Sequence, residues 1–326
     1  IISMLVMSLY NIVDQIFIGQ CVGELGNAAT NVAFPFTTLC IATALAFGIG
    51  GASGFNLNLG AGEKEKAPYF IGVSASMMFI IGVVLSVVGL TALKPLLLFF
   101  GSTDTVLPYA MEYTKYLALG FPFAIISSGG SHLVRADGSP KFSMACNLVG
   151  AIVNVILDYL FVMVFNWKMA GAAIATVIGQ ILASIMVIWY LSHFKTIKLH
   201  GKHFVPQLKI VGRTVHLGMA QCLNQLAIMF VQVVMNKSLT YYGALSPYGA
   251  DIPLACTGIV MKVNQVYFSI CIGVAQGIQP IASFNRGAGK NDRVKKTYKL
   301  AVSCNTIIST IAFIIFQLFP RQIISI

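Results

Sequence analysis

The sequence predicts an all-α polytopic membrane protein: two six-helix bundles related by a parallel pseudo-two-fold repeat, the second bundle incomplete. Three observations carry this expectation. First, 57% of the 326 residues are apolar and only 10% are charged, whereas a soluble domain has about 25% charged residues. With a mean hydropathy of +0.83, the chain cannot coat a water-facing surface of its own size. Second, nine stretches are apolar over the ~20 residues a helix needs to cross a bilayer core. Third, a glycine-rich motif at the end of the second stretch returns at the end of the eighth. The same composition excludes a disordered, collagen-like or disulfide-scaffold protein.

Span 1 (1–22) carries Asn11, Asp14 and Gln15, a polar face at i, i+3 and i+4. It lacks a basic start and is followed by eight more spans, so it is not a signal peptide. Spans 2 (30–57), 3 (68–93) and 4 (107–131) are too long for buried strands, and Pro35 and Pro122 within them would kink the helices. Span 5 (142–165) aligns Asn147, Asn154 and Asp158 on one face. Span 6 (169–193) pairs Thr176 with Gln180, beside a stripe of Gly171, Ala175 and Gly179 that favours close packing. Span 7 (212–240) has no acid but a stripe of Gln221, Gln225, Gln232 and Asn236. Span 8 (253–284) carries Lys262, Gln265, Ser269, Gln276, Gln279 and Pro280. The amides Gln221, Gln225, Gln265, Gln276 and Gln279 suit either the wall of an organic-substrate cavity or hydrogen bonds between helices. Span 9 is 297–319. A start without Met and an end just past a span read as a partial chain.

The formal charge of +11 is an orientation signal. Of 21 Lys and Arg, 15 lie in or beside the loops after spans 2, 4, 6 and 8, Lys64, Arg135, Lys195 and Arg293 among them. The positive-inside rule puts those loops and the N-terminus in the cytoplasm. A nucleic-acid partner would need one basic face interleaved with aromatic stacking positions, and four scattered short loops do not supply it. The seven cysteines form no CxxC pair and mostly lie within spans, where they act as small apolar residues. His200 and His203 lack Cys or acidic companions for a zinc site.

The repeat divides the chain. Asn58-Leu59-Gly60-Ala61-Gly62 returns as Asn285-Arg286-Gly287-Ala288-Gly289, six spans later and so with the same orientation. Parallel repeats of this kind mark transporters built from two bundles. The expected domains are an N-lobe, residues 1–200 with spans 1–6, and a C-lobe, residues 201–326 with spans 7–9. A Lys- and His-rich linker runs from His193 to Arg213.

Of the ten acids only Asp14 and Asp158 fall well inside spans. A charge there costs about 2.5–3.5 kcal/mol on insertion scales, so an intramembrane carboxylate is a candidate functional group. If spans 1, 5 and 6 are neighbours, Asp14, Asn154, Asp158 and Thr176 surround one small space. Two carboxylates in so apolar a pocket cannot both stay ionised unless a cation joins them. Carboxylate, amide and hydroxyl oxygens suit a proton or a hard cation such as Na+.

The residues that carry these readings resemble the multidrug and toxic compound extrusion (MATE) transporters, prokaryotic type. Val13-Asp14-Gln15-Ile16-Phe17-Ile18-Gly19 is similar to the family's V-D-x-x-x-x-G signature, and Asn154-Val155-Ile156-Leu157-Asp158 resembles its span-5 N-x-x-x-D. Arg135-Ala136-Asp137-Gly138 and the run from Gln276 to Gly289 are similar to its loop before span 5 and its span 8 with the following loop. The resemblance implies twelve helices in two lobes, of which the last three are missing here, and alternating-access export of organic, often cationic, compounds against Na+ or protons. It implies no cofactor beyond that coupling ion and no enzymatic activity. The expected partners are a small-molecule substrate and membrane lipid, with the protein a monomer. Carried over by residue, the coupling site falls on Asp14, Asn154, Asp158 and Thr176, with Asn11, Gln15, Asn147 and Gln180 as secondary polar positions. The alternatives are a lipid-linked oligosaccharide flippase, which would need a cationic cavity where only Lys262 qualifies, and an integral membrane enzyme.

Overall fold

The structure, a computed structural model, describes residues 2–247 and 251–319. Ten α-helices account for most of them: α1 (Ile2–Val22), α2 (Glu24–Gly60), α3 (Ala67–Thr91), α4 (Leu93–Phe99), α5 (Leu107–Ala136), α6 (Pro140–Asp158), α7 (Lys168–Ser192), α8 (Leu208–Ala244), α9 (Asp251–Gly287) and α10 (Asn291–Leu318). Spans 1–9 are α1, α2, α3, α5, α6, α7, α8, α9 and α10. Eight of these are long and apolar enough to cross a membrane; in α1 the described apolar stretch is Ile12–Val22. The three helices α2, α8 and α9 each have 37 residues. At ~1.5 Å per residue they reach about 55 Å, so they tilt or project beyond a ~30 Å hydrocarbon core.

Two local features were not expected from the apolar pattern. The short helix α4 splits from the end of span 3, because Pro95 has no N–H to donate and is tolerated only in a first helical turn. Past Asp158, α6 widens into a π-helical segment, Tyr159–Val164. Pro35, Pro122 and Pro280 do lie inside α2, α5 and α9.

The core is built around α5, which packs on α2, α3 and α7 and buries Tyr113, Leu117, Ile125 and Leu133. α2 is a neighbour shared by the N-terminal and C-terminal helices, touching α3 and α5 as well as α8 and α9. The ends of α2 and α5, and of α9, carry the basic loops; this is the basic end of the bundle.

The repeat is matched in its hydrogen bonding at an offset of 227 residues. Asn58 Nδ2 donates to Gly54 O and Asn285 Nδ2 to Ile281 O, at 2.7 and 2.9 Å. Glu63 N donates to Asn58 O and Lys290 N to Asn285 O, each at 2.9 Å. Gly62 and Gly289 turn the chain with φ of +83° and +71°, a conformation glycine adopts without steric cost.

The linker after α7 is fastened to the N-terminal helices. Asp137, at the α5–α6 turn and 7% exposed, accepts from Tyr190 Oη (2.8 Å), Lys195 N (2.7 Å) and Thr196 N (2.9 Å). Further on, a 3₁₀ turn, Gly201–Phe204, sits on α3. There Ser76 Oγ donates to Phe204 O at 2.7 Å, and the buried His203 ring meets Tyr69 edge-on. Burial, with Lys202 and His200 adding to it, holds His203 below its usual range. Neutral His203 Nδ1 can then accept from His200 N at 3.0 Å. Removing the Asp137 carboxylate orphans two backbone N–H groups, each worth about 1–3 kcal/mol. Asp137→Ala should therefore lower stability by about 3 kcal/mol and Asp137→Asn by clearly less, read as melting temperatures of the purified protein in detergent.

Candidate cation-binding site

α1, α6 and α7 are mutual neighbours, as the span-1, span-5, span-6 space requires. Small residues set the spacing: a Cβ on Gly179 would lie 2.7 Å from Gly150 O and 3.3 Å from Asn154 Cβ. α6 and α7 thus approach closely, and Asn154 Nδ2 reaches Thr176 Oγ1 at 3.3 Å. One turn along α6 from Asn154, the carboxyl group of Asp158 comes within hydrogen-bonding reach of that of Asp14 on α1.

This pocket holds more acceptors than donors. Asp14 Oδ1, both Asp158 carboxylate oxygens and Asn154 Oδ1 are buried and accept no hydrogen bond of normal geometry. Buried polar groups are otherwise satisfied as a rule, and like charges ~4 Å apart repel by about 4 kcal/mol at an effective dielectric of 20. One proton shared by the pair, or one hard cation among these oxygens, relieves both faults. The residues present fit Na+ in donor type: carboxylate, amide carbonyl and, from Thr176, hydroxyl. The π-helical segment begins at the residue after Asp158, a placement common at functional sites.

Tyr113 of α5 was missed by sequence reasoning. It is 8% exposed and lies within electrostatic reach of Asp14, Asp158 and Tyr10. No spacing within α5 marks it, since only the packing of α5 brings it to the pair. Gln180 is half-buried on α7. Asn147 is not part of the cluster: toward the basic end, its Oδ1 lies 3.2 Å from Ser131 Oγ. The side chains of Asn11, Gln15, Asn236 and Lys262 lie outside the described residues.

The amides of α8 and α9 divide. Gln221 and Gln265 are exposed and Gln225 half-buried. Gln276 and Gln279 instead bond to the N-terminal helices, Gln276 Oε1 accepting from Arg135 Nη1 at 2.6 Å and Gln279 Nε2 donating to Ser53 Oγ at 2.8 Å. Both amides therefore make hydrogen bonds between helices in this structure.

The family model described as MatE matches residues 1–160 and 220–326. The chain belongs to the MatE family. Among curated relatives, the multidrug export protein MepA of Staphylococcus saprophyticus is 24% identical over 326 residues, covering 100% of this chain and 70% of that protein. MepA of Staphylococcus haemolyticus is 25% identical over 330 residues, covering 98% and 71%. Among solved structures, an outward-facing multidrug resistance MATE family transporter superposes with a TM-score of 0.90 at 22% identity, covering 99% of this chain and 70% of that one. The MATE multidrug transporter DinF-BH gives 0.89 at 29% identity, covering 99% and 71%. This MatE chain is a multi-pass membrane transporter and not an enzyme. Because Asp14 and Asp158 face each other, replacing one by its neutral isostere should stabilise the MatE fold where no cation is available. In alkaline, Na+-free buffer, relief of part of that repulsion, about 1–2 kcal/mol, should raise the melting temperature of Asp158→Asn by about 2–8 °C over wild type. An unchanged or lower value would contradict a facing pair.

Proposed function

We propose that the protein exports organic, chiefly cationic, compounds from the cytoplasm, driven by entry of Na+ or protons at the Asp14–Asp158 pair. The observation that carries this reading is that pair: two buried carboxyl groups with orphaned oxygens in a membrane transporter, beside Asn154 and Thr176. A purely structural cluster could use neutral amides and avoid the charge cost. The names of the MepA relatives and of the DinF-BH structure supply the substrate class, multidrug export. The distribution of Lys and Arg supports a cytoplasmic basic end in the plasma membrane.

The cycle is one of linkage. Ion and substrate prefer different conformations, so each shifts the population away from the other. A proton or Na+ entering from outside neutralises the pair and lets α1, α6 and α7 close on one another, which disfavours substrate and releases it outward. Binding of the next substrate from the cytoplasm in turn expels the ion to that side and completes the exchange. The protein acts as a monomer, with lipid around it and no other cofactor.

The test is efflux of ethidium by the intact protein in proteoliposomes, with Na+ and pH gradients imposed separately. Wild type should respond to one gradient, and Asp14→Asn and Asp158→Asn should lose gradient-driven export by about 100-fold or more, the loss of roughly 2.7 kcal/mol of coupling. Gradient-driven export at wild-type rates in both variants would sink the mechanism.

A further inference from the structure

Contacts between the two lobes gather at the basic end, and they follow the repeat. A Cβ on Gly60 would stand 2.1 Å from Phe284 O, and one on Gly287 would stand 2.0 Å from Leu57 O. These are the same contact seen from each side, since 57 and 284, like 60 and 287, differ by the repeat offset. The two copies of the motif therefore interlock about the pseudo-two-fold axis, backbone against backbone. Neither glycine has a positive φ, so the missing side chain serves the approach across the boundary and not the local turn.

Polar bonds fasten the same seam. Arg135 Nη1 donates to Gln276 Oε1 at 2.6 Å. The guanidinium is steadied from its own helix by Ser131 O, which accepts from Nε at 3.2 Å, and by buried His132, whose Nδ1 lies 3.3 Å from Nη2 and accepts from it. Gln279 Nε2 donates to Ser53 Oγ at 2.8 Å. Partly buried bonds of this kind cost free energy to leave unmade, which favours their parting together.

We propose that the Gly60–Gly287 interlock, with Arg135–Gln276 and Gln279–Ser53, is the latch that keeps the basic end sealed and must part for that end to open. As a working gate it rests on the alternating-access reading given above. The latch would make the closed state bistable: close packing at the glycines permits the polar bonds to form, and the bonds hold the glycines together. Alanine at either glycine is the better helix former, so its only fault is the collision across the seam.

The experiment is a pulsed electron paramagnetic resonance distance between spin labels at Glu63→Cys and Lys290→Cys, exposed equivalents in the two repeats. The intact protein carries them with its seven native cysteines replaced by alanine, and is reconstituted in lipid without substrate or gradient. The unsubstituted latch should give a short, narrow distribution. Gly60→Ala, Gly287→Ala and the pair Arg135→Ala with Gln276→Ala should each move population to distances longer by several ångströms. Gly212→Ala, whose added Cβ meets nothing within 4 Å, should not. Unchanged distributions in the glycine and Arg135–Gln276 variants, or an equal shift in Gly212→Ala, would overturn the latch. The readout needs no transport, so failure of ion coupling in the efflux assay leaves it intact, and an unmoved seam leaves the coupling site intact.

Discussion

Two carboxyl groups facing each other inside a membrane bundle cannot both stay ionised unless a proton or cation joins them, and four helices of the N-terminal half meet at this pair. α6 and α7 come together through Gly150 and Gly179, which sets Asn154 beside Thr176. α1 then delivers Asp14 to Asp158, and α5 brings Tyr113 to the same point. The oxygens left without donors are those a proton or hard cation would use. Nothing about this geometry needs strong binding. It needs only that the occupied and vacant pair favour different packings of α1, α6 and α7, which is the condition for coupling.

The carboxyl pair sits among α1, α6 and α7, whereas the contacts at the basic end are made by α2 and α5 against α8 and α9. α5 belongs to both: Tyr113 stands at the carboxyl pair and Arg135, near its other end, bonds Gln276. α5 thus touches both the carboxyl pair and the contacts with α9. The fastening of the linker by Asp137 and by α3 adds a second consequence. Residues 195–204 are held against the N-terminal helices, so any relative motion of the two halves would bend the chain near residues 205–207, just before α8.

Much of this was legible in the sequence, for identifiable physical reasons. Hydrophobic length located a helix for each expected span, eight of them long and apolar enough to cross a membrane, since the bilayer leaves few alternatives to a helix. Scarcity of charge made Asp14 and Asp158 conspicuous, and one-face spacing added Asn154 and Thr176. The N-x-G-A-G repeat marked the turn now seen twice with matching hydrogen bonds. What was illegible depends on contacts between distant segments. Tyr113 carries no local signal, and Asp137 looked like an ordinary loop acid until Tyr190 and the linker amides closed on it. Gln276 and Gln279 sat in a stripe that suited a cavity or a contact equally, and only their partners Arg135 and Ser53 decide the matter. The split of α4 and the π-helical turn after Asp158 arise from backbone detail that hydropathy averages away.

The central claim is that the Asp14–Asp158 pair, in the protein at rest without substrate, holds either a proton or a cation. Infrared difference spectroscopy of the intact protein in lipid measures this directly, by the carbonyl stretch of a protonated carboxyl group as Na+ is exchanged at neutral pH. The account predicts a protonated-carboxyl band in Na+-free buffer that shifts on ¹³C labelling of aspartate and is lost in Asp158→Asn. A pair that is doubly ionised in Na+-free buffer, giving no such band in wild type, would contradict it.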